Sequence, residues 1–221
     1  ITAQRSSRPR SMGSLYWQLN DAWTSISWSS IDYYGNKKAF HYKLSEMYAP
    51  ILLGLDDAGN DNYKLWICND KQRDIDGRIR IIVEDMRGNQ MFAFSEVVDV
   101  KANSCYRFPK EIAINMTEKM KSDCYARIIF MEDDTVLSEK IHIFKYPKDM
   151  NFIETQLEPK VTFVDGKYHL EFNSKVFVKD VFVSTTEAGE FSANFFDVLP
   201  NVTKTIIFEP EDKKKKDLKF K

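Results

Sequence analysis

Residues 13–23 read Gly13-Ser14-Leu15-Tyr16-Trp17-Gln18-Leu19-Asn20-Asp21-Ala22-Trp23, and the chain continues to Trp28-Ser29-Ser30-Ile31-Asp32-Tyr33-Tyr34-Gly35. Three of the four tryptophans fall between positions 17 and 28. Six of the nineteen residues from Tyr16 to Tyr34 are aromatic, about twice the chain average of 14%. Gln18, Asn20, Asp21 and Asp32 interleave hydrogen-bonding groups with these rings. Flat apolar faces beside paired donors and acceptors suit a sugar, which has an apolar C–H face and a rim of hydroxyls. The same composition also describes a buried aromatic cluster with ordinary loop polars, so order rather than content must decide.

The order is informative. Met12-Gly-Ser-Leu-Tyr-Trp-Gln-Leu-Asn-Asp-Ala-Trp23, Ser27-Trp-Ser-Ser-Ile-Asp-Tyr-Tyr-Gly35, Lys38-Ala-Phe-His-Tyr42 and Tyr48-Ala-Pro50 follow one another. This series resembles the β-mannosidases of glycoside hydrolase family 2 over about the first 50 residues, with Thr24 standing where the family has Pro. In that family the stretch is the last strand, loop and helix of a catalytic (β/α)8 barrel. Phe191-Ser-Ala-Asn-Phe-Phe-Asp-Val-Leu-Pro200 resembles an aromatic-Asp-hydrophobic-Leu-Pro segment in the family's final immunoglobulin-like domain. The resemblance implies a retaining exo-β-mannosidase that removes terminal non-reducing β-D-mannosyl residues. It also implies that Trp17, at the end of the eighth strand, forms a stacking floor for the sugar, with Asn20 and Asp21 either binding substrate or fixing the loop. A cis peptide bond after that tryptophan is a further expectation from the resemblance.

A complete enzyme of this kind does not fit in the chain. A (β/α)8 barrel typically takes about 250 residues, and the chain has 221. Retaining glycosidases use two carboxyl groups roughly 5 Å apart. The family's acid/base follows an Asn, yet the sequence has no Asn-Glu pair, and Ser45-Glu46-Met47, Ser95-Glu96-Val97 and Ser138-Glu139-Lys140 do not match the Ser-Glu-aromatic-Gly setting of its nucleophile. The expectation is a C-terminal portion with no catalytic residue of its own. Its partners would be the remaining N-terminal and catalytic part of the same protein, a β-mannoside, or a second copy of the chain. For the parent the resemblance implies a periplasmic or secreted location in a bacterium, or a lysosomal one in a eukaryote.

The rest of the chain reads as β structure. Leu15 to Leu19 reads as a buried parallel strand and Asn36 to Ala49 as an amphipathic helix, with Phe40, Leu44, Met47 and Tyr48 on one face and Asn36 as its N-cap. Pro50 ends that helix. Beyond it the period becomes two: Tyr63, Leu65 and Ile67 alternate with Lys64, Trp66 and Cys68, and the pattern recurs at 78–83, 92–100, 125–131 and 139–144. Turn signals such as Asp57-Ala-Gly-Asn60, Asp76-Gly77 and Arg87-Gly-Asn89 separate the runs. A Pro-containing linker at Tyr146-Pro-Lys-Asp149 precedes runs at 160–164, 168–172, 176–185 and 204–208, with an Asp165-Gly166 turn. The fold class expected is mainly β: two immunoglobulin-like antiparallel β-sandwiches at 50–147 and 148–221, preceded by the last βα unit of a (β/α)8 catalytic barrel at 1–49.

Other classes are disfavoured by composition. A net charge of −1 gives no global pull toward nucleic acid or an anionic membrane. The longest apolar runs are too short to span a bilayer. Cys68, Cys105 and Cys124 read as free thiols, and His41, His142 and His169 are too scattered for a metal site, so neither metal nor cofactor is expected. Lys213–Lys216 reads as a solvated tail neutralised by neighbouring acids. Asn115-Met-Thr and Asn201-Val-Thr are glycosylation sequons. One strand and one helix cannot close a barrel, so Leu15, Tyr16, Trp17, Leu19, Phe40, Leu44 and Met47 would lie exposed unless another chain or further polypeptide covers them. The alternative to an enzyme portion is a non-catalytic carbohydrate-binding or structural β-sandwich module. A binding face of that kind would need a coplanar aromatic strip on a sandwich.

Overall fold

The computed structural model describes residues 1–213 and 218–221, so positions 214–216 of the lysine run lie outside the described residues. Two compact units form, one of Ile1–Asp85 with Gln90–Met150 and one of Asn151–Lys221 with Met86–Asn89.

The first unit contains a sandwich of β1 (Ile51–Gly59), β2 (Asn62–Asn69), β3 (Ile75–Asp85), β4 (Gln90–Val100), β5 (Ser104–Arg107), β6 (Ile112–Ala113), β7 (Cys124–Glu132) and β8 (Thr135–Ile143). One sheet runs β1-β2-β5 with β6 also on β2, and the other runs β4-β3-β7-β8. Every pairing is antiparallel. Alternation sets the inner faces, because successive side chains leave a strand on opposite sides. Ile51, Leu53, Leu55, Tyr63, Leu65 and Ile67 meet Ile79, Ile81, Val83, Ala126, Ile128 and Phe130 in one core. The hairpin after β1 turns through Gly59, Asn60 and Asp61, all at positive φ, the residue types that enter that region most readily.

Strand β2 is buried on its second face as well. Leu52, Trp66 and Cys68 form an outer cluster with Cys105. The short helix α1 (Thr2–Ser6) lies against it: the Arg5 carbonyl accepts from Cys68 Sγ at 3.5 Å, and the Ser6 carbonyl accepts from Arg107 Nη2. Arg5 and Arg8 both pair with Asp70, at 2.8 and 2.6 Å.

Three expectations for this unit are corrected. Leu15 to Leu19 forms no strand, and its only ladder contact nearby is an isolated parallel bridge of Asn20 to Ile31. A parallel strand is held by hydrogen bonds to a neighbouring strand, and among the described residues none forms a ladder with residues 15–19. The helix α2 runs over Ala39–Met47 with Lys38 at its N-cap, three residues later than the apolar pattern placed it. Asp32 accounts for the delay, since it accepts from the Asn36 backbone N–H (2.8 Å) and side-chain amide (2.9 Å) and so holds Asn36 in a turn. Leu44 is buried rather than exposed, and Tyr16 packs edge-on against Phe40 with ring centroids 5.4 Å apart. A six-residue helix, α3 (Glu118–Asp123), fills the stretch the pattern left undefined, with Thr117 Oγ1 accepting from the Met120 N–H at 3.2 Å.

The second unit comprises β9 (Lys160–Val164), β10 (Lys167–Phe172), β11 (Val178–Val181), β12 (Gly189–Phe191), β13 (Phe196–Val198) and β14 (Lys204–Pro210). Its sheets run β12-β14-β10-β9 and β11-β13. Tyr168, Leu170, Phe172, Val183, Phe196, Val198, Ile206 and Phe208 form the core. Asp165 and Gly166 both take positive φ in the β9–β10 turn. In the 191–200 segment Phe196 and Val198 point inward, while Asp197 accepts from the Asp180 N–H at 2.9 Å. Buried Asn194 clips the chain by accepting from the Val183 N–H (2.8 Å) and donating to its carbonyl (2.7 Å). Phe182 is exposed and stacks at a tilt on Phe195.

Candidate functional site

The aromatic stretch folds as a double-back loop that begins after residue 13. Leu19 and Ile31 lie side by side: the Ile31 N–H donates to the Leu19 carbonyl at 2.9 Å and the Asp21 N–H to the Ile31 carbonyl at 3.1 Å. Ser30, fully buried, gathers the base of the loop. Its hydroxyl donates to the Leu19 carbonyl (3.0 Å) and lies within bonding distance of Tyr16 Oη (3.1 Å) and His41 Nδ1 (3.2 Å), while its carbonyl accepts from the Lys38 N–H (2.9 Å).

Asp21 turns into the loop. Lys38 Nζ donates to its Oδ2 at 2.9 Å and to Ser29 Oγ at 2.7 Å, and Ser27 Oγ donates to Asp21 Oδ1. The Ser27 hydroxyl and then the Lys38 ammonium hold the Asp21 carboxyl below the usual carboxylate range. Asp32 behaves alike: burial works against its charge, but donation from the Asn36 side chain and from the Asn36 and Tyr34 backbones prevails. Both carboxylates are therefore occupied in fixing the loop.

The fixed loop presents its large side chains outward. Trp17 is 75% exposed, Leu15 100%, Trp23 and Trp28 70% each, and Leu19 54%. The peptide between Trp17 and Gln18 is cis, as the resemblance implies. Asn20 is exposed, with its Nδ2 donating to the Asp21 carbonyl at 3.2 Å. The three residues singled out from the sequence thus divide: Trp17 and Asn20 reach the surface and Asp21 does not. Trp23 and Trp28 are likewise exposed rather than packed in a core. Ser27, Ser29, Ser30 and Lys38, which hold the arrangement, were not recognised. Their signal was a hydroxyl run, Ser27-Trp-Ser-Ser30, followed by a lysine on the same loop. Among the described residues no group of three or more His, Cys, Asp or Glu side chains is placed to hold a metal ion, and no helix is long and apolar enough to cross a membrane.

Comparison with known proteins adds the family context. Residues 61–149 match the family described as a mannosidase Ig/CBM-like domain, and residues 152–221 match the mannosidase family described as an Ig-fold domain. The chain is 23% identical over 212 residues to β-mannosidase B of Aspergillus niger, covering 88% of this chain and 25% of that protein. A 49-residue stretch is 49% identical to the β-mannosidase of Rattus norvegicus, covering 22% of this chain and 6% of that protein. The crystal structure of a β-D-mannosidase from Dictyoglomus thermophilum superimposes with a TM-score of 0.80 at 21% identity, over 99% of this chain and 27% of that one. The chain spans about a quarter of the length of the relatives it matches along most of its length. These matches support a C-terminal β-mannosidase portion built on mannosidase-type immunoglobulin-like domains.

Proposed function

We propose that this chain, a C-terminal β-mannosidase portion by its matches, works as part of a retaining exo-β-mannosidase acting on terminal non-reducing β-D-mannosyl residues. In this reading residues 1–49 complete the catalytic barrel and residues 50–147 and 148–221 form accessory sandwiches. The observation that carries it is the combination of a tightly braced loop with an unburied apolar display. Asp21, Lys38 and three serines hold residues 19–38 in place, yet Leu15, Trp17, Leu19, Trp23 and Trp28 face outward. Large apolar side chains left exposed on a braced loop fit a surface made to be covered. Further polypeptide of the same protein is the cover that the mannosidase matches favour.

The geometry supports a role for each of three residues. Trp17 offers an accessible ring face to the C–H face of a mannosyl unit. Asn20 offers an exposed amide to a hydroxyl. Asp21 is a positioning residue, since its two oxygens already accept from Ser27 and Lys38. The acid/base and nucleophile, which must stand about 5 Å apart in a retaining site, are assigned to polypeptide outside this chain. Mixing the purified 221-residue chain with an aryl β-mannoside tests this. No turnover is expected. Turnover that survives purification and is lost in Glu46→Gln, Glu96→Gln or Glu139→Gln overturns it.

A further inference from the structure

The outer face of the first sheet carries a second chemical feature. Cys68 on β2 and Cys105 on β5 are direct cross-strand partners. The Phe108 N–H donates to the Leu65 carbonyl, so Leu65 and Phe108 form a hydrogen-bonded pair. Positions along an antiparallel ladder alternate between bonded and non-bonded pairs. Three residues on, Cys68 and Cys105 therefore occupy a non-hydrogen-bonded position, where Cα atoms approach to about 4.5 Å and side chains project to the same face. That separation lies inside the ~4.4–6.8 Å span that a disulfide bridges, at its short end. The two sulfurs are 2.7 Å apart, closer than the ~3.5–4.0 Å of ordinary non-bonded contact and longer than the ~2.05 Å of a bond. Both thiols are free.

We propose that Cys68 and Cys105 are a reversible dithiol–disulfide pair, oxidised by thiol–disulfide exchange with a low-molecular-weight disulfide such as oxidised glutathione. Cys105 is the attacking thiol. It is the more accessible of the two. A hydrogen bond from the Cys68 thiol lowers its pKa most, burial opposes this, and the cationic Arg107, Arg8 and Arg5 lower it further, the electropositive setting that favours thiolate. The thiolate displaces one glutathione from the reagent and forms a mixed disulfide at Cys105. The Cys68 sulfur then attacks the Cys105 sulfur and releases the second glutathione. The protein loses two thiol hydrogens and two electrons, and one glutathione disulfide becomes two glutathione thiols. Cys124 takes no part: it sits on β7 in the other sheet opposite Asp85, and burial pushes its thiol up. The same exchange run with a reducing thiol reopens the bond, which makes it a switch rather than a permanent staple. Closing it also removes the hydrogen that Cys68 donates to the Arg5 carbonyl under α1.

The test uses the full chain, equilibrated in oxidised and reduced glutathione at graded ratios and quenched with acid. It is then alkylated in denaturant and weighed intact. In reducing buffer all three thiols should alkylate. In oxidising buffer one should, with the mass of two hydrogens lost and a single digest peptide pair joining Cys68 to Cys105. Dithiothreitol should restore three. Cys105→Ser should abolish the cross-link while leaving the wild-type result as the reference whether or not the variant folds well. Three alkylated thiols at every ratio, a cross-link that includes Cys124, or glutathione stably retained on Cys105 without closure overturns the proposal.

Discussion

Replacing Gly54 with alanine should cost the first sandwich much of its stability. Gly54 lies on β1 opposite Trp66, and a Cβ there would sit 1.9 Å from Trp66 Cζ2, 2.0 Å from Cε2 and 2.6 Å from Nε1. Ordinary contact needs about 3.4 Å or more, so the indole must withdraw by about 1.5 Å. It has little room to do so. Trp66 is 1% exposed, its Nε1 donates to Asp56 Oδ2 at 3.0 Å, and Lys140 Nζ lies 5.8 Å from its ring centroid. Overpacking of this type costs about 1–3 kcal/mol, and losing the hydrogen bond to a carboxylate adds about 1.5–3 kcal/mol. Reduced freedom of the unfolded chain returns about 0.5–1 kcal/mol. A net loss of about 3 kcal/mol results, and at ~4–8 °C per kcal/mol for a domain of ~100 residues the sandwich transition should fall by about 10–25 °C. Calorimetry and far-UV circular dichroism on the full chain measure it. Gly13→Ala, where nothing lies within 4 Å, should leave the transition in place. Gly54→Ala in a Trp66→Leu background should cost clearly less than in the wild type, because the two positions share one contact. A Gly54→Ala transition within about 2 °C of the wild type would refute this account of the sheet's outer face.

Burial drives the His142 pKa down to about 4, with Lys140 adding to the effect and Asp56 and Asp57 opposing it. The unfolded chain therefore binds a proton near pH 6.5 that the folded chain refuses, so stability should fall by roughly 2–3 kcal/mol as pH drops from about 6.5 to about 4; urea midpoints at pH 7 and pH 4.5 should show the drop in the wild type and a smaller one in His142→Phe. Lys38→Met removes the ammonium from Asp21 and Ser29, and hydrogen exchange at the Asp21, Ser30 and Ile31 amides should accelerate while β7 stays protected. Asp70→Ala strips the shared partner from Arg5 and Arg8, so limited trypsin digestion should cut after Arg5 sooner than in the wild type.

The sandwiches were legible where one face of a strand is wet. On β3, Ile79 and Ile81 face the core and alternate with the exposed Arg78 and Arg80. Strand β1 was hidden because Ile51-Leu52-Leu53-Gly54-Leu55 is buried on both faces, leaving no alternation to read. Strands β12 and β13 have three residues each, too few to show a period. The start of α2 was misplaced because Asn36 looks like an N-cap but is held by Asp32, a contact within the loop that helix periodicity does not register. Residues 15–19 carry the apolar pattern of an inner barrel strand, but a ladder is a non-local structure and the described residues offer it no neighbour. At the candidate site, the exposure of Trp17 was legible, since one strand and one helix cannot cover it. The inward turn of Asp21 was not, since it depends on Lys38 coming within 2.9 Å after a 17-residue excursion.

The measurement that bears most directly on the central claim is hydrolysis of an aryl β-mannoside by this chain extended upstream through its own coding sequence into the catalytic barrel, compared with its Trp17→Ala variant. The account predicts turnover by the extended protein, none by residues 1–221 alone, and a loss of about 10- to 100-fold in kcat/KM in the variant, equivalent to about 1.4–2.8 kcal/mol of transition-state binding. Turnover by residues 1–221 alone, or an extended enzyme indifferent to Trp17→Ala, would contradict it.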